Sequence, residues 1–250
     1  MSENKFPEWP SYSKEEIGKV GEVLSSGQVN YWTGSITRKF EEEFSKWCGS
    51  KYAIAVSNGT VALDLCMIGL NIGSHHGGST HDEVIVTPRS FIASASVVVN
   101  AGAVPKFVDV CPNSQNIDPL KIKEAITGRT RAIICVHLAG WPCDIDFIKD
   151  IVGGDDIKII EDCAQAHGAL YKGRPVGSLG DIAAWSFCQD KIMSTGGEGG
   201  MVTCDDRIVW EKIWSYKDHG KSYTKLRSAD RERGFRWLHT RFGSNFRLTE

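Results

Sequence analysis

The sequence predicts an α/β fold in which a mainly parallel β-sheet is covered by helices on both faces. Apolar runs of strand length alternate with helical patterns along most of the chain, which is the order that βαβ units produce. Runs such as AIICV at 132–136 and IKII at 157–160 are apolar nearly throughout, as in strands buried on both faces. Ligands of such sheets bind at the carboxyl ends of the strands, so the site is expected there.

Three helices are predicted in the first part of the chain. Ser13 and Glu16 have the spacing of a capping box, so the first helix is expected to run to about Ser26. A second helical pattern follows at 36–49. Four apolar residues fall on one face of it and are expected in the core: Ile36, Phe40, Phe44 and Trp47. The third helix, TVALDLCMIGL at 60–70, is apolar nearly all round and is expected to be buried.

From residue 82 onwards, strands and helices alternate. The predicted strands are DEVIVTP at 82–88, KFVDV at 106–110, RAIICVH at 131–137, IKIIED at 157–162, IAAWSF at 182–187 and GMVTC at 200–204. The predicted helices lie at 91–103, 118–126, 144–152 and 206–216. Asp118 followed by Pro119 is a strong helix start, since aspartate caps well and proline fits the first turn. The final residues, FRLTE, are expected to begin a further helix.

Composition narrows the class of function. The chain has 250 residues, of which 41% are hydrophobic, so it can bury the core of one large domain. Its net charge of -2 gives no broad basic field, and no nucleic-acid partner is expected. No apolar run approaches the roughly 20 residues of a membrane helix, and the start of the chain has no signal pattern, which favours a cytoplasmic protein without a membrane partner.

Cysteine and histidine spacing indicates neither disulfides nor a metal centre. The eight cysteines include no CxxC pair, and several lie in apolar runs, where a free thiol behaves as a small buried hydrophobe. The seven histidines form no pair at metal-ligand spacing. His75 and His76 are adjacent, but they lie in a Gly/Ser-rich loop and are expected to be solvated.

One lysine lies in a glycine-rich loop after the strand at 182–187. Lys191 follows the last apolar residue of that strand, Phe187, by four positions. The GGEGG motif at 196–200 lets the backbone approach itself or a ligand closely. Taken alone, the pattern also fits a solvated lysine followed by a turn. Partners elsewhere in the chain decide between the two interpretations.

Three other positions supply such partners: the end of the strand at 157–162, the start of the third helix and the end of the strand before the lysine. Glu161 and Asp162 end a predicted strand, where an acid is either solvated or buried and paired with a cation. The SNGT motif begins a helix, so the N–H groups of Gly59 and Thr60 can bind a phosphate, although the same motif also makes an ordinary helix cap. Ser186 adds a hydroxyl at the strand end before the lysine. Together these groups indicate a site that binds a phosphate and a cationic group and that contains an amine nucleophile.

In content and in order, these motifs resemble a known family, the DegT/StrS group of fold type I aminotransferases. That family depends on pyridoxal 5'-phosphate (PLP) and acts on nucleotide-linked keto-sugars. The resemblance spans nearly the whole chain. It rests on SNGTVAL at 57–63, TPRSFIASA at 87–95, GAVPKFVDV at 102–110, NIDP at 116–119, HLAGWPCDID at 137–146, EDCAQAHGALYKGRPVGSLGD at 161–181, SFCQDK at 186–191 and GGEGG at 196–200.

The resemblance implies a PLP site built from residues spread along the chain. It makes Lys191 the lysine that binds PLP covalently and Asp162 the partner of the pyridinium nitrogen. Gln165 is implied at the phenolic oxygen of the ring, and Phe91 is implied to stack on its face. Three residues are implied to hold the phosphate: Gly59, Thr60 and Ser186.

The resemblance also implies a homodimer with shared active sites. Asn245 matches an asparagine that family members donate to the phosphate site of the neighbouring subunit. His219 matches a recurrent family histidine to which we assign no role. Family members often have His at the position of Cys188 and Gln at that of Trp141, and the GGEGG loop carries one extra glycine. These departures are expected to affect the sugar site.

By resemblance, the activity is transfer of an amino group from glutamate to a keto group of a nucleotide-linked deoxysugar, for a surface polysaccharide or a secondary metabolite. Residues 1–30 are implied to be an arm of a small domain, and residues 31–250 the PLP-binding large domain, with the C-terminal part of the small domain absent. One alternative is the PLP-dependent sugar dehydratase, which in known members has His in place of the lysine. The others are a non-catalytic PLP-binding regulatory relative and an α/β module that binds nucleotides.

Overall fold

A seven-stranded sheet forms the centre of the fold. The computed structural model describes residues 8–154, 156–227 and 239–250; residues 1–7 of the predicted arm lie outside them. The strands are β1 (Tyr52–Val56), β2 (Glu83–Val86), β3 (Val104–Phe107), β4 (Thr130–Val136), β5 (Lys158–Asp162), β8 (Ile182–Ser186) and β9 (Gly200–Cys204), and a separate hairpin is made by β6 (Leu170–Tyr171) and β7 (Arg174–Pro175). The sheet order is β1-β9-β8-β5-β4-β2-β3. In this sheet six strands run one way, and β9 runs antiparallel to both of its neighbours, so the predicted mainly parallel sheet is confirmed.

Helices connect the strands, and most begin at a side-chain cap. They are α1 (Lys14–Ser26), α2 (Ile36–Cys48), α3 (Gly59–Gly69), α4 (Ala93–Asn100), α5 (Pro119–Ala125), α6 (Ile145–Val152), α7 (Arg207–Lys217) and α8 (Tyr223–Arg227). The predicted capping box is present, because Ser13 Oγ accepts from Glu16 N–H and the Glu16 carboxylate accepts from Ser13 N–H. The Asp118 carboxylate accepts from Leu120 N–H, as the sequence predicts for the start of α5.

Two hydrophobic layers enclose the sheet. One contains residues of α3, α4 and α7, such as Met67, Val97 and Trp214. The other contains residues of α2, α5 and α6, such as Phe44. Successive side chains of a strand point to opposite faces, so each central strand feeds both layers. Each fully buried aliphatic side chain stabilises the fold by about 1.5–3 kcal/mol. The two packed layers therefore make the sheet rigid, and the loops at the ends of its strands are attached to a fixed support.

The core prediction for α2 is right for Phe44 and wrong for two of its four residues. Phe44 is buried, and Phe40 is partly buried with its ring 5.3 Å from that of Phe187. Ile36 and Trp47 are 54% and 50% exposed. The helix lies on the surface of its layer, so only the middle of its apolar stripe faces the sheet.

The end of the described chain is extended, so the helix predicted at FRLTE is wrong. Ser57 N–H donates to Phe246 O at 3.0 Å, and Val56 and Arg247 form an antiparallel bridge. β1 lies at the edge of the sheet, and its free backbone groups are satisfied by this segment instead of by a neighbouring strand. The predicted KFVDV strand is also displaced: β3 begins two residues earlier and ends at Phe107.

Two further observations concern the chain as a whole. None of the helices in the described residues is long and apolar enough to cross a membrane. All eight cysteines are free thiols. Six are buried as predicted, whereas Cys111 and Cys188 are partly exposed, because both lie in loops after strands rather than in the two layers.

Candidate active site

The predicted site residues follow strands that end at one edge of the sheet. β1, β5 and β8 point the same way, and β9 begins at that edge because it runs in the opposite direction. Ser186 and Gly200 are therefore paired neighbours at the mouth of the loop that carries Lys191. Residues far apart in sequence meet here because parallel strands bring their carboxyl ends together.

Glycine allows the start of α3 to lie against the end of β8. A Cβ on Gly59 would lie 2.7 Å from Ser186 Cβ, and a Cβ on Gly200 would lie 2.4 Å from Asn58 O. Both positions therefore exclude a side chain. The first N–H groups of a helix lack intrahelical partners, and this helix begins at Gly59, where an added Cβ would lie 3.1 Å from the Ser186 hydroxyl oxygen. N–H groups next to a hydroxyl at the positive end of a helix suit a phosphate.

Asp162 presents a buried carboxylate at the end of β5. Its Oδ2 accepts a hydrogen bond from the Ser94 hydroxyl at 2.8 Å, and its Oδ1 accepts one from Ala164 N–H at 3.2 Å. Burial raises the pKa of Asp162, and the hydrogen bond from Ser94 opposes that shift. A carboxylate held in this way is stabilised by a cationic partner such as a protonated ring nitrogen.

Lys191 lies in the loop between β8 and β9, with its side chain 20% exposed. Its Nζ donates to Asp190 Oδ2 at 3.1 Å. The side chain of Asp190 is 66% exposed, and an ion pair to so exposed a group contributes little. The charge of Lys191 also acts on Asp162, where it opposes the rise in pKa that burial causes. The amine is thus weakly held and within electrostatic reach of the buried acid.

Gln165 and Phe91 flank the same edge. Gln165 Oε1 accepts from Ala139 N–H at 2.8 Å, in the loop after β4, where Ala139 has a φ of 52°. This contact fixes the side chain and leaves its NH₂ group as a donor. Phe91 is 71% exposed in the loop after β2, one turn before Ser94, whose N–H donates to Phe91 O. Its ring is therefore free to pack on a planar ligand.

Two of the three departures from the family pattern, Trp141 and Cys188, are side chains in loops at this edge. Trp141, in the loop after β4, is 65% exposed. The Cys188 thiol lies 3.6 Å from Glu198 Oε1, across the loop that carries Lys191. Neither side chain contacts Asp162 or Ser186 in the hydrogen bonds of the described residues.

Glu161, which the sequence marks only as a strand-end acid, anchors the loops behind the site. Its carboxylate accepts from four donors: Gly177 N–H, Leu179 N–H, Gly180 N–H and His137 Nε2–H. His137 Nδ1 in turn accepts from Cys143 N–H at 3.0 Å, which leaves the proton on Nε2 for Glu161. The ligand atoms of His137, Glu161 and Cys163 lie within 4.8 Å of one another, but these donors already satisfy the acid. The group is a structural anchor.

His167 is a second residue that sequence reasoning missed. Both of its ring nitrogens are buried and have no hydrogen-bond partner among the described residues. The ring packs 5.5 Å from each of the rings of Trp185 and Phe187, which flank Ser186. Burial lowers the pKa of His167 to about 4. The signal in the sequence was the AQAHGA segment, which gives no indication of burial.

Asn245 and His219 lie together, in two backbone segments that pair with each other. Asn245 forms a bridge with Asp218, and His219 N–H donates to Ser244 O at 2.9 Å. His219 has a φ of 58°. The side chain of Asn245 is exposed, so it is available to a partner and is not buried in its own chain.

The sheet, together with an acid, a lysine and a glycine-bordered helix start at its carboxyl edge, defines an α/β protein that binds its ligand at the ends of its parallel strands. The structure superimposes on the aminotransferase from Psychrobacter cryohalolentis with a TM-score of 0.93 and 57% identity, covering 98% of this chain and 60% of that one. The chain belongs to the DegT/DnrJ/EryC1/StrS aminotransferase family, whose model matches residues 10–250.

Two further relatives show what the family contains. The chain is 43% identical over 217 residues to dTDP-3-amino-3,6-dideoxy-alpha-D-galactopyranose transaminase of Aneurinibacillus thermoaerophilus, covering 86% of this chain and 58% of that protein. It also resembles a GDP-4-keto-6-deoxymannose-3-dehydratase with a trapped PLP-glutamate geminal diamine. That likeness has a TM-score of 0.86 at 29% identity and covers 98% of this chain and 65% of the other. This chain therefore spans less than two thirds of the length of these relatives.

Proposed function

We propose that the protein is a PLP-dependent aminotransferase that moves an amino group from glutamate to a keto group of a nucleotide-linked deoxysugar. The observation that carries this proposal is the meeting of Lys191, buried Asp162 and the Gly59–Ser186 contact at one edge of the sheet. Family membership over residues 10–250 supports it. The relatives carry both dTDP and GDP in their names, so the nucleotide is left open.

The residues present fit PLP at four points. The glycine-bordered start of α3 and the Ser186 hydroxyl would hold the phosphate. The Asp162 carboxylate would accept a hydrogen bond from the ring nitrogen. The NH₂ of Gln165 would donate to the ring oxygen, and Phe91 would cover the ring face. Bound PLP supplies a protonated, electron-withdrawing ring that takes up negative charge from the substrate.

The chain itself supplies charge, position and a proton carrier. Asp162, oriented by Ser94, would keep the ring nitrogen protonated, because an anion beside that nitrogen favours its charged form. Lys191 Nζ, as a free amine, would accept the proton from the substrate carbon that bears the nitrogen and would carry it to the carbon on the other side of that nitrogen. The weak Asp190 contact lets the side chain move between these positions.

The dehydratase is the second candidate, because one of the similar structures is named as a dehydratase. A lysine at position 191 favours transamination over dehydration. A free primary amine can bind the cofactor and carry the proton in both half reactions, whereas an imidazole cannot bind it covalently in the same way.

Assembly and location are part of the same proposal. We infer a homodimer in which Asn245 completes the partner's phosphate site, supported by the exposure of its side chain. A cytoplasmic location is supported by the eight free thiols, since reducing compartments keep cysteines unpaired.

Lys191 offers the direct test. The purified protein is expected to be yellow, and its visible absorbance should shift when glutamate is added. Borohydride added to the protein without glutamate should leave a phosphopyridoxyl group on Lys191, located by peptide mass spectrometry. Lys191→Ala should abolish transamination with an unchanged circular dichroism spectrum, because the lysine lies in a loop outside both layers. An adduct on Lys172 or Lys217 would contradict the assignment.

A further inference from the structure

A buried ion cluster lies beneath the segment that carries Asn245. Asp218, which follows α7, is fully buried, and its Oδ1 accepts from Lys221 Nζ at 2.8 Å and also from Arg247 Nη1. The two cationic side chains are only 8% and 15% exposed. Lys221 comes from the residues after α7, whereas Arg247 comes from the end of the chain. The acid therefore joins two segments that are distant in sequence.

The backbones of these segments also interlock. Ser244 N–H donates to Tyr216 O at 2.8 Å, and Phe246 N–H donates to Lys217 O at 2.9 Å. A Cβ on Gly243 would lie 2.5 Å from Gly220 N. Asn245 lies between these two hydrogen bonds and forms a bridge with Asp218 itself. The side chain of Asn245 points outward from a backbone that is fixed on both sides.

Resting on the proposed dimer with shared sites, we propose that Asp218 is the positioning residue that holds Asn245 where it reaches the neighbouring subunit's phosphate site. Asp218 does not contact the cofactor. Removing its charge leaves two largely buried cations without their shared partner, so Arg247 and the backbone beside it must move. The proposal therefore predicts that a substitution of Asp218 in one subunit weakens cofactor binding in the site of the other subunit.

The first measurement is PLP affinity. Asp218→Asn keeps the size of the side chain and removes its charge, so the dissociation constant for PLP is expected to rise at least about ten-fold. Asp218→Glu restores the charge and should recover part of that loss. Asp150→Asn, at an exposed acid of α6, is the control for loss of one negative charge and should bind PLP as the parent does. Equal affinity of Asp218→Asn and the parent would overturn the inference.

Mixed dimers decide whether the effect crosses the interface. At a PLP concentration well below the dissociation constant of the Asp218→Asn variant, Asp218→Asn and Lys191→Ala subunits are each expected to have little activity alone. Together they form one site that combines an intact Lys191 with a correctly held Asn245, so the heterodimer should show about half of the parental activity. If Asp218 only supports its own subunit, the heterodimer stays inactive and the inference is wrong. Arg247→Gln, a milder change in the same cluster, should behave in the same way and serves if Asp218→Asn does not fold.

A reference pair separates this inference from the proposed function. Asn245→Ala mixed with Lys191→Ala should also recover about half of the parental activity. Recovery by the reference pair alone would overturn the role of Asp218 and leave the shared site in place. Failure of both pairs, with heterodimers confirmed by native mass spectrometry, would overturn the shared site and the inference with it.

Discussion

The chemistry of single residues at this site depends on charges placed where water is scarce. Asp162 must be ionised to pair with a ring nitrogen, yet burial raises its pKa. The Ser94 hydroxyl and the Ala164 N–H stabilise the ionised form without exposing it. A charge held by fixed donors in this way is strongly felt by a nearby cation and weakly screened by solvent.

Substitutions at Asp162 should separate charge from position. Asp162→Asn removes the anion and is expected to lower kcat on the order of 10²–10³-fold, whereas Asp162→Glu keeps the charge, misplaces it and should lose less. Steady-state kinetics with glutamate as donor measures both. Because the raised pKa makes ionisation of Asp162 costly in the folded state, the cofactor-free Asn variant should be at least as stable as the parent at neutral pH. Equal activity of the Asn variant and the parent would remove Asp162 from the mechanism.

His167 should make stability depend on pH. Its pKa is about 4 in the folded chain and about 6.5 when unfolded, so the unfolded chain binds the proton more readily between these values. The contribution of neutral His167 to the free energy of unfolding is fully present above pH 6.5. It decreases as the pH falls, and by pH 4 the loss amounts to about 3 kcal/mol.

Denaturant unfolding of the parent and of His167→Phe, at pH values from 4 to 7, measures this effect. The Phe variant keeps a ring against Trp185 and Phe187 and should lose that part of the pH dependence. His81→Phe, at an exposed position, is the control and should keep it. Identical pH profiles for the parent and His167→Phe would refute the assignment.

For single residues, the sequence was sufficient to predict those that lie in a recognisable motif. It was not sufficient for residues whose role depends on contacts with distant parts of the chain. Lys191, Asp162 and Gly59 stand in patterns that mark strand ends and helix starts. Glu161 differs from a solvated acid only through donors such as His137 and Gly180, which lie far from it in sequence. His167 is unusual because its buried ring nitrogens have no hydrogen-bond partner among the described residues. The lack of a hydrogen bond cannot be seen as a pattern in the sequence.

At the scale of elements, the site depends on how closely β9, β8 and α3 approach. β9 runs against its neighbours and brings Gly200 onto the backbone of Asn58. Continuous apolar runs predicted most of the parallel strands correctly. They did not predict β1, which lies at the sheet edge, or the extended end of the chain. The pairing of the chain end with β1 depends on which backbone N–H and C=O groups of the edge strand are free, and a hydrophobic pattern cannot predict it.

Gly200→Ala should show the need for this close approach. Its Cβ would lie 2.4 Å from Asn58 O and 2.9 Å from Gly59 N, and backbone atoms cannot rotate away. We expect a loss of about 1–3 kcal/mol in the free energy of unfolding, together with weaker PLP binding. Gly197→Ala is the matched control in the same loop, because its Cβ would meet no atom within 4 Å. A Gly200→Ala variant as stable as the control would contradict the packing described here.

At the scale of the whole molecule, the sites we propose belong to the dimer rather than to one chain. The phosphate contacts that we propose within a single chain come from the start of α3 and from Ser186, whereas Asn245 is exposed. In a two-fold dimer each subunit both gives and receives this residue. Cofactor binding and assembly should therefore be linked.

Dilution should reveal that linkage. As the protein is diluted through the concentration at which dimers separate, PLP should be released over the same range. Visible absorbance follows the cofactor, and sedimentation velocity follows the dimer. In Asn245→Ala the two processes should separate, because PLP no longer depends on the partner's side chain. A monomer that keeps its full complement of PLP would refute the shared site.

The pairing of Ser186 with Gly200 has a consequence for how this family can change. The two strands close the loop that carries Lys191 at its base, so the entropy lost in closing it varies only slowly with its length. Doubling such a loop costs about 0.6 kcal/mol. An added glycine, or new side chains at positions such as Cys188 and Glu198, therefore disturbs the sheet little. Insertions in this loop therefore leave Lys191 tethered between the same two strands.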